Sequence, residues 1–229
     1  MLPGTSASTL ALIPGFELSG YVVSDRPVPE GVSRYQDPSA WARYHRACLA
    51  DAGIVGLTEV VEGAGLWRLD ELGGDGLRGV VERAVADLAW PPDVPAIAEY
   101  VAASDGGFVL ATSDEIVVEP GCCCALDSLR EWVAAASGDE WMEVWVGHDV
   151  RRLQLRSDGR GHLHRVGPPS TTDAWGEPRV MPPGALASML AHAADTLARL
   201  TERIVEVVPA GLDAPTRLAL ARMLAGLGD

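Results

Sequence analysis

The stretch FVLATSDEIVVEPGCCCALDSLREW, residues 108–132, reads as strand, turn, strand and helix in succession. Phe108–Ala111 and Glu115–Val118 are short runs rich in β-branched and apolar residues, the composition of strands. Ser113-Asp114 supplies a tight turn between them. Pro120-Gly121 then halts the second strand. Ser128 and Glu131 stand at capping-box spacing. Leu129, Trp132, Val133 and Ala136 supply one apolar side of a helix over about 128–136. A hairpin that runs directly into a helix belongs to the α+β class, with a mostly antiparallel or mixed sheet covered by helices.

The same alternation extends outward. Upstream, Leu77, Val80, Val81, Ala84, Val85 and Leu88 form one stripe of a helix over 76–89, stopped by Pro91-Pro92. Asp93 opens a short helix through Tyr100 and Val101. Leu57–Val61 and Leu66–Leu69 form a hairpin across Glu62-Gly63-Ala64-Gly65. Asp37 and Pro38 open a helix over 38–52, with Trp41, Tyr44, Cys48 and Leu49 on its inner face. Residues 1–36 carry Pro3, Pro14, Pro27 and Pro29 and read as an extended N-terminal arm, with one strand at Leu18–Val23. Downstream come a strand at Met142–Val146 and a hairpin of Leu153–Arg156 with His162–Val166. A Pro/Gly-rich connection (167–183) leads to two C-terminal helices, over 184–208 and after Asp213-Ala214-Pro215. The expected organisation is one domain: an arm (1–36), an α+β core (37–183) and a helical segment (184–229) packed on that core.

Composition narrows the function. The chain has 229 residues, 48% of them hydrophobic, enough for a packed core. Its net charge of −14 argues against a general nucleic-acid or anionic-membrane binder, whose surfaces need cationic excess. All 18 basic residues are Arg, so a Lys nucleophile, a Schiff base and a P-loop lysine are excluded. The lack of Lys and Asn beside abundant Ala and Gly points to a GC-rich bacterial coding sequence. No run approaches the roughly 18 apolar residues of a spanning helix. The apolar Leu10–Ile13 has no basic flank and meets Pro14-Gly15, so no signal peptide is expected. Cys48 and the run Cys122, Cys123, Cys124 do not have disulfide-framework spacing and read as reduced cytoplasmic thiols.

The charge is uneven. Residues 59–119 hold 13 acidic residues against three Arg. Read functionally, Glu59, Glu62, Asp70, Glu71 and Asp75 are candidates for docking a basic partner; read plainly, they are solvated surface. Residues 151–165 hold five Arg and one Asp. Arg152, Arg156, His162 and His164, with Gln154, are candidates for an anion contact if two-residue alternation puts them on one sheet face.

The cysteine run admits three readings. Cys122 and Cys124 with His148, or with the His162-x-His164 pair, supply zinc-type donors. A thiol just before a helix, with His148 as base and Asp149 as orienter, suits nucleophilic or redox chemistry. The plainest reading is that small apolar thiols pack where strand turns into helix. Val144, Val146 and His148 alternate on one face, which makes His148 a core-edge histidine. Trp141, Glu143 and Trp145 take the other face, expected beneath the C-terminal helix; exposed, the two Trp form a binding hot spot.

Glu119-Pro120, the Cys-Cys run, Leu126, Trp132 and Trp145-Val146-Gly147-His148-Asp149 together resemble a widespread uncharacterised bacterial family. Pro95, Tyr100 and Asp105-Gly106-Gly107 resemble the SUKH superfamily, with Asp105 where Asn is usual. That resemblance implies a small, often acidic α+β protein that binds partners, many of them immunity proteins of polymorphic toxin systems, and implies no catalytic residue. The expectation is therefore a cytoplasmic protein without cofactor or catalytic residues that binds a protein partner, a basic toxin domain in the immunity case. The alternatives are a metal- or thiol-dependent site at Cys122–Cys124 with His148, and a purely structural domain.

Overall fold

The computed structural model describes residues 10–18, 24–86, 88–148, 150–169 and 174–228. Two antiparallel sheets carry the fold. The first has five strands in the order β2-β3-β1-β4-β5: β1 (Ala11–Glu17), β2 (Glu59–Val61), β3 (Leu66–Arg68), β4 (Gly106–Ala111) and β5 (Ile116–Val118). The second runs β6-β7-β8-β9: β6 (Met142–Val144), β7 (Arg152–Ser157), β8 (His162–Gly167) and β9 (Arg179–Met181). Among the described residues six α-helices accompany them: α1 (Pro38–Asp51), α2 (Gly74–Ala84), α3 (Val94–Tyr100), α4 (Leu129–Ser137), α5 (Ala185–Val207) and α6 (Ala214–Leu224). The α+β class and the two C-terminal helices agree with the sequence pattern.

Local chemistry explains most boundaries. Asp37, Asp93 and Asp213 each accept a backbone N–H of the first turn, from Ala40 (2.9 Å), Ala96 (2.8 Å) and Thr216 (2.8 Å). A proline follows within the first two positions of each helix, where its missing N–H is not needed. The expected capping box of α4 does not form. Ser128 makes no side-chain cap bond, and the Glu131 carboxylate instead accepts Trp145 N–H at 3.1 Å.

The N-terminal region is not an appended arm. Ala11–Glu17 lies in the middle of the first sheet, between β3 and β4. Pro14 is tolerated because β3 pairs only with Gly15–Glu17, so Pro14 stands beyond its end with β4 alone beside it. The strand expected at Leu18–Val23 falls mostly on residues outside those described. Leu18 itself continues from β1, its N–H bonded to Gly65 O at 3.0 Å while its carbonyl accepts the buried Trp67 indole.

One cluster of buried side chains runs through both sheets and the C-terminal helices, with Trp67, Phe108, Trp132, Leu153, Leu155, Leu197 and Leu220 among its members. Helix α5 lies against β1, α2, α4 and α6. Each fully buried Leu or Phe in such a cluster contributes roughly 1.5–3 kcal/mol over an exposed one.

Candidate functional site

Two glycines let the cysteine run touch the strand after α4. Gly121 donates to Val146 O at 2.6 Å, and Cys122 pairs with His148 in an isolated antiparallel bridge. A Cβ on Gly121 would meet His148 O at 2.3 Å, and one on Gly147 (φ +92°) would meet Cys122 O at 2.6 Å. Only residues without a side chain allow that approach. The third cysteine turns inward: Cys124 is 4% exposed, and its carbonyl accepts Gly106 N–H at 3.1 Å. Burial pushes its thiol up to about 12. Cys122 and Cys123 are exposed, while Cys48 is buried on α1. Iodoacetamide applied to the native chain is therefore expected to label Cys122 and Cys123 and to spare Cys48 and Cys124 until denaturant is added. Labelling of Cys124 at a comparable rate, read by peptide mass mapping, would contradict this placement.

His148 is exposed rather than a core-edge residue. The alternation of Val144 and Val146 into the core ends at Gly147, whose left-handed backbone redirects the chain. Trp145 is 42% exposed, against the expectation that a helix covers it. It is held from three sides: its N–H by Glu131, its indole Nε1 by Cys123 O (3.5 Å), and its ring edge-on to His148 at 4.8 Å between centroids. Asp149 lies outside the described residues.

Cys122 and His148 form one side of an open cleft of about 360 Å³ whose other walls include Glu17, Arg34, Tyr35 and His45. Arg34 pairs with Glu119 at 3.1 Å and stacks on Tyr35 at 4.5 Å. His45 is buried against Trp41 and Tyr44. Burial first, and the Arg34 charge second, hold its pKa below the ordinary imidazole value, with the Gly63 backbone opposing. An adjoining hollow of about 430 Å³ shares Tyr35 and Val150. No sequence motif marks Arg34, Tyr35 or His45 as wall residues; two of them lie in the region read as an arm.

The zinc-type donor set is not assembled. Cys124 points into the core, and His162 and His164 belong to the second sheet. Among the described residues no group of three or more His, Cys, Asp or Glu side chains is placed to hold a metal ion.

The anion candidates divide between two faces. Arg156 lies opposite Leu163, and Gln154 opposite Arg165, so His162 and His164 share the face of Leu153 and Leu155. His162 Nε2 donates to Ala136 O at 3.0 Å, and His164 is buried. Arg165 takes their place beside Arg152 and Arg156. There the guanidiniums interleave with indoles: Arg156 and Arg165 lie 4.9 and 4.4 Å from Trp141, and Arg165 and Arg152 lie 5.2 and 4.4 Å from Trp175. Glu143 grips Arg152 through two bonds of 2.8 and 2.7 Å. The basic segment thus spends much of its charge within the protein.

The acidic candidates divide as well. The Glu59 side chain is 2% exposed and accepts Gly63 and Gly65 N–H at 3.1 Å each, closing the β2–β3 turn. Burial raises its pKa. Glu59 therefore supports the turn and is withdrawn from any docking face. Glu62 accepts the Ser39 hydroxyl at 2.7 Å. Asp70 and Glu71 flank Arg68, and Asp75 is exposed in the first turn of α2, where the helix dipole favours a negative charge.

Comparison with family models, curated proteins and solved structures returns no match.

Proposed function

We propose that the protein works in the bacterial cytoplasm by binding another protein, in the manner of an immunity protein neutralising a basic toxin domain. The observation that carries this reading is Trp145. A large aromatic ring stands 42% exposed, edge-on to His148 of the cleft wall, yet its backbone, indole and ring edge are all anchored. Such a side chain loses little conformational freedom on association, which is the property of a hot-spot residue. Tyr35, 66% exposed, stands on the other wall of the same cleft. The net charge of −14 selects a basic partner and speeds its approach, and the SUKH resemblance of Pro95, Tyr100, Gly106 and Gly107 points the same way.

Affinity capture with the full chain in the source organism tests the proposal. The expected result is a basic protein retained at low salt and released as ionic strength rises. Trp145→Ala should weaken its retention at least about tenfold, the scale of a hot-spot truncation, while keeping the wild-type unfolding midpoint. Equal retention by Trp145→Ala and wild type would refute this docking site.

A further inference from the structure

Cys122 and Cys123 are neighbours in sequence and are both exposed. In a continuing strand, successive side chains leave on opposite faces, and adjacent thiols stay apart. Cys123 breaks that alternation. Its φ of +66° is the only positive value at a non-glycine among the described residues, and it follows directly on the bridge between Cys122 and His148. The Cys122 and Cys123 side chains are thereby brought within reach of one another. Backbone strain of this kind concentrates at functional positions. The third thiol, on Cys124, faces the core.

We infer that Cys122 and Cys123 form a reversible dithiol–disulfide pair that exchanges with low-molecular-weight disulfides. Cys122 gives up its proton and attacks one sulfur of the external disulfide. The external S–S bond breaks, and the departing thiolate takes up a proton and leaves as the first free thiol. Cys123 then gives up its proton and attacks the Cys122 sulfur of the mixed disulfide. A second external thiol leaves, protonated in the same way. Two protein thiols are oxidised to one disulfide, and one external disulfide is reduced to two thiols. Because the Cys123 carbonyl holds the Trp145 indole, closing the ring shifts Trp145. The effect on docking rests on the function proposed for Trp145; the pairing of the two sulfurs does not.

The test equilibrates the full chain in mixtures of oxidised and reduced glutathione, quenches with acid and alkylates under denaturing conditions. Cleavage after arginine leaves all three cysteines of the run in one peptide, residues 84–130. The expected result is a reversible loss of two hydrogens from that peptide, its alkylatable cysteines falling from three to one. The cysteine still alkylated should be Cys124, as located by fragmentation of the wild-type peptide. Cys122→Ser and Cys123→Ser should each abolish the transition. In the wild type, Trp emission should change with the same midpoint as the mass, and the change should be absent from Trp145→Phe. A two-hydrogen loss that leaves Cys122 or Cys123 as the alkylated residue overturns the inference. So does the accumulation of glutathione adducts without ring closure. Locating Cys124 in the wild-type peptide keeps the test decisive where a serine variant fails to fold.

Discussion

Gly106→Ala is expected to lower stability by roughly 2–6 kcal/mol, the sum of backbone strain and overpacking. Gly106 has φ +138° and pairs with Phe16 across the β1–β4 ladder. A Cβ there would lie 2.2 Å from Gly15 O and 3.1 Å from Glu17 N. Both atoms belong to the backbone of β1, so relief requires separating the two strands rather than turning a side chain. The same residue donates to Cys124 O, so the displacement would reach the cysteine run as well. A loss of this size is a large part of the roughly 5–15 kcal/mol by which domains are stable. Gly79→Ala is the control. Gly79 lies within α2 with open space around its Cα, and alanine there should stabilise by about 0.5–1 kcal/mol. Urea unfolding of the two variants reads the contrast. A Gly106→Ala midpoint equal to wild type would mean that β1 and β4 do not approach in this way.

Gly106 also shows how far the pattern was legible. Asp105-Gly106-Gly107 stands out in the sequence, but nothing local says that the glycine accommodates a strand almost a hundred residues earlier. Elements with caps and clear periods were readable, because Asp37, Asp93 and Asp213 act within three residues of themselves. β1 was not, since Pro14-Gly15 has the local signature of a break and becomes a strand only through its partners β3 and β4. The alternation of Arg152, Gln154 and Arg156 was legible, but its partner face was not. The β7–β8 loop sets Ser157 opposite His162, which places even-numbered residues of β7 against odd-numbered residues of β8. A one-residue change of register moves a whole set of side chains to the other face; here it exchanges two histidines for Arg165 and Leu163. Within the run, the packing expected of small apolar thiols holds for Cys124 alone, since residue type does not separate it from the exposed Cys122 and Cys123. The contact of Cys122 with His148 depends on Gly121 and Gly147 from distant segments, and no spacing rule encodes that meeting.

The register that buries His164 leads to the second large effect: His164→Leu is expected to stabilise the protein by about 1–3 kcal/mol at neutral pH, the penalty of a buried unsatisfied polar group. The imidazole is 3% exposed, and among the described residues neither ring nitrogen has a hydrogen-bond partner. Leucine has similar volume and suits the apolar face shared with Leu153 and Leu155. Burial first, and the Arg179 charge second, hold the His164 pKa below its ordinary value of 6.5, with Glu115 opposing. The unfolded chain therefore binds the proton more readily than the folded one. Stability present above about pH 6.5 is lost as the pH falls through 6.5 towards the lowered folded value, at up to about 1.4 kcal/mol per pH unit for each such histidine. His45 acts in the same direction, and the raised pKa of buried Glu59 acts against both as its carboxylate is protonated. Wild-type stability should thus fall from pH 7 to pH 5.5, and His164→Leu should fall less steeply, with His45 sustaining the fall that remains. Urea unfolding across that range measures both slopes. Equal slopes would show that His164 is protonated as easily in the folded chain as in the unfolded one, which its buried, unpartnered position in β8 forbids.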